Sequence, residues 1–214
     1  MANFKLSIII PYYDPKENVR PLLARLLESL YWQQKYDHPE TEIILVSDGS
    51  DIEWIDWVIR PKMTICASTD NSGVSRARNI GLSMATGDII SFIDADDNIE
   101  PEYMNTIYDT MKAGYDYALF PFIAEGSGAY CRNRDELFGN YAVWAWCFKR
   151  SIIGDERFNE DMNVGEDIEW LQRVINEHQK GVRPDTAIYR YNWDGNPDSL
   201  SKRFNRGEIT KERK

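Results

Sequence analysis

The chain has 214 residues, enough for one sizeable domain with its own hydrophobic core. Its composition, 43% hydrophobic and 28% charged, excludes a disordered chain. The formal net charge is −10, which excludes generic nucleic-acid binding because phosphate backbones require a basic face.

The first half alternates apolar strand patterns with helix patterns. LSIII (6–10) reads as a buried strand, followed by a helix that we expect to be capped by Asn18, with Pro21 in its first turn. The next predicted elements are strands at 42–48 and 63–68, a capped helix at 71–87, a strand at 88–94, a helix at 101–114 and a strand at 115–122.

This alternation predicts an α/β fold with a mostly parallel central sheet flanked by helices. Ligands of such sheets bind at the carboxyl ends of the strands. The polar clusters PYYD, SDGSD and DADD follow the first, second and fourth predicted strands. We therefore expect all three clusters at one binding edge.

The second half is less regular. Residues 124–140 form a loop or small hairpin by their glycine content, 141–153 are aromatic and apolar, and 187–193 alternate like a strand. A helix is expected at 166–178, with inward-facing Ile168, Leu171, Val174 and Ile175. The tail from Lys202 carries six basic and two acidic residues, and we expect it to be mobile.

Cellular location is predicted from absences. The three cysteines, Cys66, Cys131 and Cys147, lack zinc-site spacing and suit reduced thiols in a cytosolic protein. The N-terminus does not have the pattern of a signal peptide, and no window approaches the ~20 apolar residues of a membrane span. We expect a cytoplasmic protein, and the basic tail leaves open a peripheral contact with the inner face of an anionic membrane.

The carboxylates of FIDADDNIEP are the first candidate site. Asp94 and Asp96 project to the same side if the backbone stays extended, and Asp97 follows where the chain must turn. Carboxylate oxygens are the ligands that Mg²⁺ and Mn²⁺ prefer, so a divalent cation explains the cluster. The alternative is a solvated acidic turn that caps the next helix.

Three further motifs have both a functional and a structural interpretation. Arg76 and Arg78 lie near a helix N-terminus, which suits a phosphate group. Arg76 is equally explained as a solvated or locally paired side chain, whereas the functional interpretation is favoured for Arg78. Glu166 and Asp167 either cap a helix dipole or supply a general base. The pair Trp144 and Trp146, which share a face if extended, either pack in the core or stack on a sugar.

Five blocks in this order resemble a family-2 glycosyltransferase of the GT-A fold: SIIIPYYD, EIILVSDGSD, NSGVSRARNIGLSMATGDIISFIDADDNIEP, VWAWCFKRSII and FNEDMNVGEDIEW. The resemblance covers about Leu6 to Trp170. It implies a single domain over 1–201, with a nucleotide-sugar-binding half at 1–97 and an acceptor half at 98–201, followed by the tail at 202–214. The acceptor would be a saccharide or a lipid-linked molecule.

The resemblance also implies residue roles. The catalytic base would be Asp167, and the metal, Mn²⁺ or Mg²⁺, would be held by Asp96 and Asp97. The UDP-sugar donor would contact Pro11, Tyr12, Asp48, Arg78, Asp94 and Asp96. The acceptor would contact Trp144, Trp146 and Glu166. The expected reaction is metal-dependent inverting transfer to an acceptor hydroxyl. A nucleotidyltransferase and a non-catalytic nucleotide-sugar-binding module remain the alternatives.

Overall fold

A computed structural model describes residues 4–68, 70–125, 129–131, 142–192, 196 and 199–212. Its centre is a seven-stranded sheet that draws strands from both predicted halves of the chain, so the two halves share one core. The strand order is β10-β6-β9-β4-β1-β2-β3. These strands are β1 (Leu6–Tyr12), β2 (Glu42–Asp48), β3 (Thr64–Ser68), β4 (Ile89–Phe92), β6 (Tyr117–Leu119), β9 (Trp146–Lys149) and β10 (Gly181–Val182).

The sheet is mostly parallel, as predicted. Strand β1 pairs in parallel with β2 and β4, and β2 pairs in parallel with β3. Of the seven described strands of this sheet, only β9 runs antiparallel to its neighbours, which are β4 and β6. Strands β1 and β4 are buried throughout, as expected of near-continuous apolar runs in a sheet that is covered on both faces.

A second, four-stranded sheet was not predicted. Its order is β5-β11-β7-β8, from β5 (Asn98–Ile99), β7 (Phe122–Ala124), β8 (Ala129–Cys131) and β11 (Tyr189–Tyr191). The antiparallel pair β7 and β8 agrees with the hairpin expected within 124–140, whereas 132–140 lie outside the described residues. Strand β11 pairs with β5, and β5 is the strand that follows the aspartate cluster directly in the chain.

Six α-helices occur in the described part of the chain: α1 (Arg20–Tyr36), α2 (Val74–Met84), α3 (Tyr103–Lys112), α4 (Arg150–Ile153), α5 (Glu166–Val174) and α6 (Leu200–Asn205). Helix α2 packs closely on the sheet, since a Cβ on Gly81 would lie 2.3 Å from Ile9 Cγ2. In the described residues, no helix is both long enough and apolar enough to cross a bilayer.

The start of α1 differs from the prediction, because Asn18 is not its N-cap. Val19 occupies that position and gives no side-chain cap. The carboxylate of Asp14 instead accepts hydrogen bonds from the backbone N–H groups of Asn18, Val19 and Arg20, each at 2.9 Å. An acidic residue beyond the usual N-cap position thus satisfies the donors that a helix start leaves unpaired.

The strand predicted at 115–122 is two strands in two different sheets. Strand β6 ends at Leu119, and β7 begins at Phe122. Pro121, between them, cannot donate a ladder hydrogen bond. The Phe120 N–H donates to the Ala145 carbonyl oxygen at 2.8 Å, and the chain then crosses to the second sheet.

The helix predicted at 166–178 differs in two details. Helix α5 ends at Val174 rather than near 178, and Ile168 is 39% exposed rather than inward-facing; Trp170 is fully buried in the core instead. The mobility expected of the tail from Lys202 stays a prediction, but part of this tail forms a helix and part contacts the domain. Residues 202–205 belong to α6, and the Asn163 side chain donates to the carbonyl oxygens of Thr210 and Glu212.

The tail's charges are also partly paired. Arg203 and Arg206 both lie beside Glu208, at 3.7 and 2.5 Å. The structure therefore gives no support to the predicted membrane contact through this tail.

We predict that Asp14→Ala lowers the free energy of unfolding by about 1–3 kcal/mol, because it leaves N–H groups at the start of α1 without an acceptor. Urea unfolding at neutral pH measures the change. Glu28→Ala, at an exposed position of the same helix, is the matched control and should stay within about 0.5 kcal/mol of the parent. Equal stabilities of the two variants would contradict the capping role of Asp14.

Candidate active site

The predicted site residues gather at the carboxyl edge of the parallel strands. Asp48 is the last residue of β2, Asp94 follows β4, and Tyr12 is the last residue of β1. These strands are neighbours in the order β4-β1-β2, so their ends meet at one edge. Helix α5 brings Glu166 and Asp167 to the same place, since both contact Arg78 near Asp94.

Arg78 on α2 is the centre of the site. Its guanidinium Nη1 donates to Asp167 Oδ1 at 2.6 Å and to Glu166 Oε1 at 2.9 Å. Nη2 donates to Asp94 Oδ1 at 3.2 Å. The residue is 3% exposed and its guanidinium carbon lies 5.4 Å from the Phe158 ring centroid. Arg78 is therefore paired with acids, while Arg76 on the same helix is exposed.

The placement of Asp167 begins with Gly165. Gly165 has φ +86, a left-handed conformation that glycine adopts without steric cost, and α5 begins with the next residue. This confirms the turn predicted before the acidic pair. Asp167 Oδ1 accepts from Arg78, and Oδ2 accepts from the backbone N–H of Val143 at 2.9 Å. These two hydrogen bonds fix the position of the carboxylate. The Asp167 side chain is still 15% exposed, so a substrate can reach it.

The charge balance of this cluster shifts its pKa values. Burial alone would lower the pKa of Arg78, but the charges of Asp167, Asp94 and Glu166 outweigh it and raise that pKa. Burial raises the pKa of Asp167 to about 7; Arg78 opposes this rise and the Glu166 charge adds to it. A raised value is physically reasonable because one arginine cannot neutralise three nearby carboxylates.

Asp48 shapes the loop before α2. Its carboxylate accepts from the backbone N–H groups of Ser72 at 2.6 Å and Gly73 at 2.7 Å. Gly73, at the N-cap position of α2, has no side chain, and Asp48 instead fixes the loop that leads into the helix. Gly49, at φ +80, allows the close approach, since a Cβ there would lie 2.8 Å from Asn71 N. A contact of Asp48 with the nucleotide base of a donor stays a prediction.

The three aspartates of the DADD segment have different surroundings. Residues 94–97 turn rather than extend, closed by the Asp97 N–H donating to the Asp94 carbonyl oxygen at 3.1 Å. Asp94 and Asp96 therefore do not act as neighbours on a straight strand. Asp94 contacts Arg78, whereas Asp96 Oδ2 accepts from the Asn196 side chain at 2.6 Å.

Asp97 is buried, 1% exposed, and both of its carboxylate oxygens accept hydrogen bonds. Oδ2 accepts from the Tyr189 hydroxyl at 2.6 Å and Oδ1 from the Asn192 N–H at 2.7 Å. It does not cap α3, whose N-cap position is Glu102, so the capping alternative is wrong. Burial, followed by the charges of Asp96 and Asp94, raises the pKa of Asp97 well above its usual range.

A divalent cation would fit beside Asp94 and Asp96. Burial, then the Asp94 charge, raises the pKa of Asp96, and a cation beside this carboxylate would favour its ionised form. Within the described residues, no group of three or more His, Cys, Asp or Glu side chains is arranged to hold a metal by itself. Mg²⁺ or Mn²⁺ commonly takes only one or two protein carboxylates and completes its shell with water and phosphate, so this donor set is compatible.

The aromatic pair does not lie on one extended face. Residues Val143–Ala145 form a 3₁₀ turn, and β9 begins at Trp146. Trp144 is 8% exposed and stacks on Tyr189 and Tyr191, with ring centroids at 4.5 and 5.1 Å. Trp146 is 9% exposed beside Phe148. Packing thus occupies most of both rings, and contact with an acceptor stays a prediction for them and for Glu166.

Pro11 and Tyr12 are buried at the end of β1. The Tyr12 hydroxyl donates to Asp14 Oδ2 at 3.3 Å, and its ring meets Trp54 edge-on. Burial first, then the Asp14 charge, raises the pKa of Tyr12 to about 12. These residues border the site edge, and their contact with a nucleotide stays a prediction.

Sequence reasoning missed residues that hold the site together. Tyr189, Asn192 and Asn196 all bond the aspartate turn from more than 90 positions away along the chain. Only the alternation of AIYRYNW gave a signal, and it indicated a strand without indicating its neighbour. Asp14 was visible in PYYD, but its bonding to α1 was not.

This architecture, with carboxylates at the carboxyl edge of a mixed α/β sheet, is the GT-A fold of glycosyltransferases. The chain belongs to glycosyl transferase family 2, whose model matches residues 7–167. The family assignment confirms the resemblance found in the sequence motifs.

Two curated relatives of this chain are bacterial proteins. It is 29% identical to the minor teichoic acid biosynthesis protein GgaB of Bacillus subtilis, over 88% of this chain and 23% of that protein. It is 32% identical to the glycosyltransferase GlyA of Streptococcus pneumoniae, over 89% of this chain and 31% of that protein. The chain thus spans about a quarter to a third of the length of these relatives.

Solved structures agree on the fold. The crystal structure of S. aureus TarS 1-349 in complex with UDP-GlcNAc matches with a TM-score of 0.76 at 21% identity, over 92% of this chain and 60% of that one. A crystal structure of S. aureus TarS 1-349 matches with a TM-score of 0.72 at 23% identity, over 88% of this chain and 60% of that one. At this identity the likeness concerns the fold.

We predict that Arg78→Met lowers the free energy of unfolding by about 3–5 kcal/mol at pH 8, because it leaves buried carboxylates without their counter-ion. The loss should shrink at pH 5, because the raised folded-state pKa of Asp167 makes the folded protein bind a proton that the unfolded chain has already lost, and this proton neutralises the carboxylate. Urea unfolding at both pH values measures this.

Arg76→Met, on the exposed face of the same helix, is the matched control and should change stability by less than about 0.5 kcal/mol. If Arg78→Met does not fold, Arg78→Lys tests the same idea with the charge kept. An Arg78→Met loss equal at both pH values would contradict the electrostatic explanation.

Proposed function

We propose that this chain is an inverting glycosyltransferase that moves a sugar from a UDP-sugar to a hydroxyl group of a saccharide or lipid-linked acceptor. The observation that carries the proposal is the position of Asp167, a carboxylate with a raised pKa beside the aspartate turn at the sheet's binding edge. Membership of family 2 favours sugar transfer over the nucleotidyltransferase and over the non-catalytic module.

Asp167 has the properties of a general base. A base works best when its pKa lies near the working pH, and burial raises the pKa of Asp167 to about 7. Val143 and Arg78 fix the carboxylate from two directions. In the proposed step, an oxygen of this carboxylate accepts the acceptor's hydroxyl proton while the acceptor oxygen bonds to the anomeric carbon, and the bond from that carbon to the diphosphate breaks.

The donor would lie across the strand ends. Asp48 and Tyr12 would border the nucleotide base of the donor. Asp94 and Asp96 would border its ribose and diphosphate. The solved structure of TarS with UDP-GlcNAc has the same fold, which supports a UDP-sugar as the class of donor. The names of GgaB and TarS refer to teichoic acid and poly(ribitol-phosphate), which makes cell-wall polymers reasonable acceptors to assay.

The proposed cofactor is Mn²⁺ or Mg²⁺, held by Asp96 with Asp94 in support. When bound, such an ion neutralises charge on a leaving diphosphate. Asn196 and Arg78 hold the aspartate turn in place by donating hydrogen bonds to Asp96 and Asp94, respectively.

We predict that Asp167→Asn lowers the rate of UDP release from UDP-sugars by about 10²–10⁴-fold, because the amide cannot accept the proton. In the parent, kcat/KM should rise with pH to a plateau above about 7, since Asp167 is protonated and inactive below its raised pKa. A donor-hydrolysis assay across pH 5.5–8.5, with water as acceptor, measures both.

Calorimetry should show that Asp167→Asn binds UDP within about twofold of the parent, because the base acts on the acceptor. Asp161→Asn, at an exposed position shortly before α5, is the matched control for loss of a carboxylate and should keep full activity. A near-normal rate in Asp167→Asn would require a different base.

We predict that Asp96→Asn weakens UDP binding in the presence of Mn²⁺ by at least tenfold and leaves the much weaker binding in EDTA almost unchanged, because the carboxylate acts through the cation. Titration calorimetry with UDP measures both constants. Asp109→Asn, at an exposed position of α3, is the control. UDP binding that is insensitive to EDTA in the parent would argue against the metal.

A further inference from the structure

Strand β11 holds the aspartate turn from behind. We propose that Asp97 is a positioning residue that, with Tyr189 and Asn192, fixes the turn carrying Asp94 and Asp96, and that it is not a metal ligand. This inference rests on the proposed function, because it concerns the residues assigned there to the diphosphate and the cation.

The Tyr189 hydroxyl links both ends of the turn. It donates to Asp97 Oδ2 at 2.6 Å and accepts from the Asp94 backbone N–H at 3.1 Å. One buried oxygen atom therefore fixes the first and last residues of the turn. Because the position of the Asp94 carboxylate depends on its backbone, the hydroxyl also helps to set the contact between Asp94 and Arg78.

Asn192 completes the clamp. Its backbone N–H donates to Asp97 Oδ1 at 2.7 Å, and its side-chain amide donates to the Asp96 carbonyl oxygen at 2.9 Å. Strand β11 also pairs with β5 directly after the turn, with Tyr189 opposite Ile99. The turn is thus tied to one strand through both side chains and backbone.

Asp97 is poorly placed to hold a cation. It is 1% exposed, and both oxygens accept short hydrogen bonds from donors on the side of β11. By contrast, the Asp94 side chain is 30% exposed and the Asp96 residue is only half-buried. A cation on Asp97 would have to displace donors that the fold supplies, whereas Asp94 and Asp96 remain accessible from the site.

The clamp is itself supported by packing. The Tyr189 ring stacks on Trp144 with centroids 4.5 Å apart and an interplanar angle of 14°. The residue before Trp144, Val143, donates its backbone N–H to Asp167. The same aromatic stack therefore connects the aspartate turn with the proposed base, which gives buried Trp144 a role without contact with an acceptor.

The test compares Tyr189→Phe, Asp97→Asn and the double variant. Mn²⁺ binding to the protein–UDP complex is measured from the electron paramagnetic resonance signal of free Mn²⁺, and UDP affinity by calorimetry. We expect each single variant to weaken Mn²⁺ binding about 10- to 100-fold, as is usual when the supporting partners of metal ligands are removed. The double variant should bind Mn²⁺ no more weakly than the single variant with the lower affinity, because both changes break the same hydrogen bond between Tyr189 and Asp97.

Tyr108→Phe is the matched control. Its hydroxyl is likewise buried, accepts the Leu6 backbone N–H at 3.2 Å and contacts Thr41, but it lies at the opposite end of β1. We expect it to lower the melting temperature about as much as Tyr189→Phe while leaving Mn²⁺ and UDP binding unchanged. This separates positioning from general loss of stability.

Normal Mn²⁺ and UDP binding in Tyr189→Phe, together with lost Mn²⁺ binding in Asp97→Asn, would overturn the proposal and make Asp97 a ligand. If the parent binds UDP but no Mn²⁺, the metal part of the proposed function fails, and the same comparison made on UDP affinity decides the clamp. A parent that binds Mn²⁺ and UDP but transfers no sugar would overturn the proposed function alone. A parent that binds neither would overturn both proposals.

Discussion

The site depends on the buried guanidinium group of Arg78. Arg78 is 3% exposed and bonds one carboxylate of the turn after β4 and two carboxylates of α5, so it joins elements that lie far apart in the chain. Burying a guanidinium is costly unless acids surround it, and burying those acids is costly without the guanidinium. Each group thus makes the burial of the others tolerable, and the geometry of the proposed base follows from this mutual requirement.

Local patterns predicted the fold because the decisive information was local. Buried β-branched runs such as SIII and EIILV indicate parallel strands whatever their neighbours are, and polar residues at strand ends indicate the binding edge. The errors arose where distant groups decide. Asp14 rather than Asn18 satisfies the start of α1, and the second sheet exists because Pro121 diverts the chain and β11 returns beside β5.

The same distinction holds within the site. The motifs identified the acids and Arg78, since their types and spacing are visible in sequence. They could not show that Arg78 reaches Glu166 and Asp167, 88 and 89 positions away, or that Tyr189 holds Asp97. Nor could they show that Trp144 lies in a 3₁₀ turn while Trp146 begins a strand. This difference removes the shared face that the alternation implied.

The charge balance of the site supports the proposal that a divalent cation accompanies an anionic donor. Asp94, Glu166 and Asp167 all contact the one guanidinium of Arg78, and Lys202 acts on Asp96 at longer range. Two like charges about 4 Å apart repel by about 4 kcal/mol at an effective dielectric constant near 20, so a diphosphate added here meets strong opposition. Protonation of the acids would relieve it, but a protonated Asp167 is no base. A divalent ion beside Asp96 would relieve it while favouring the ionised form of Asp167, so binding of the donor and readiness of the base would be linked through charge.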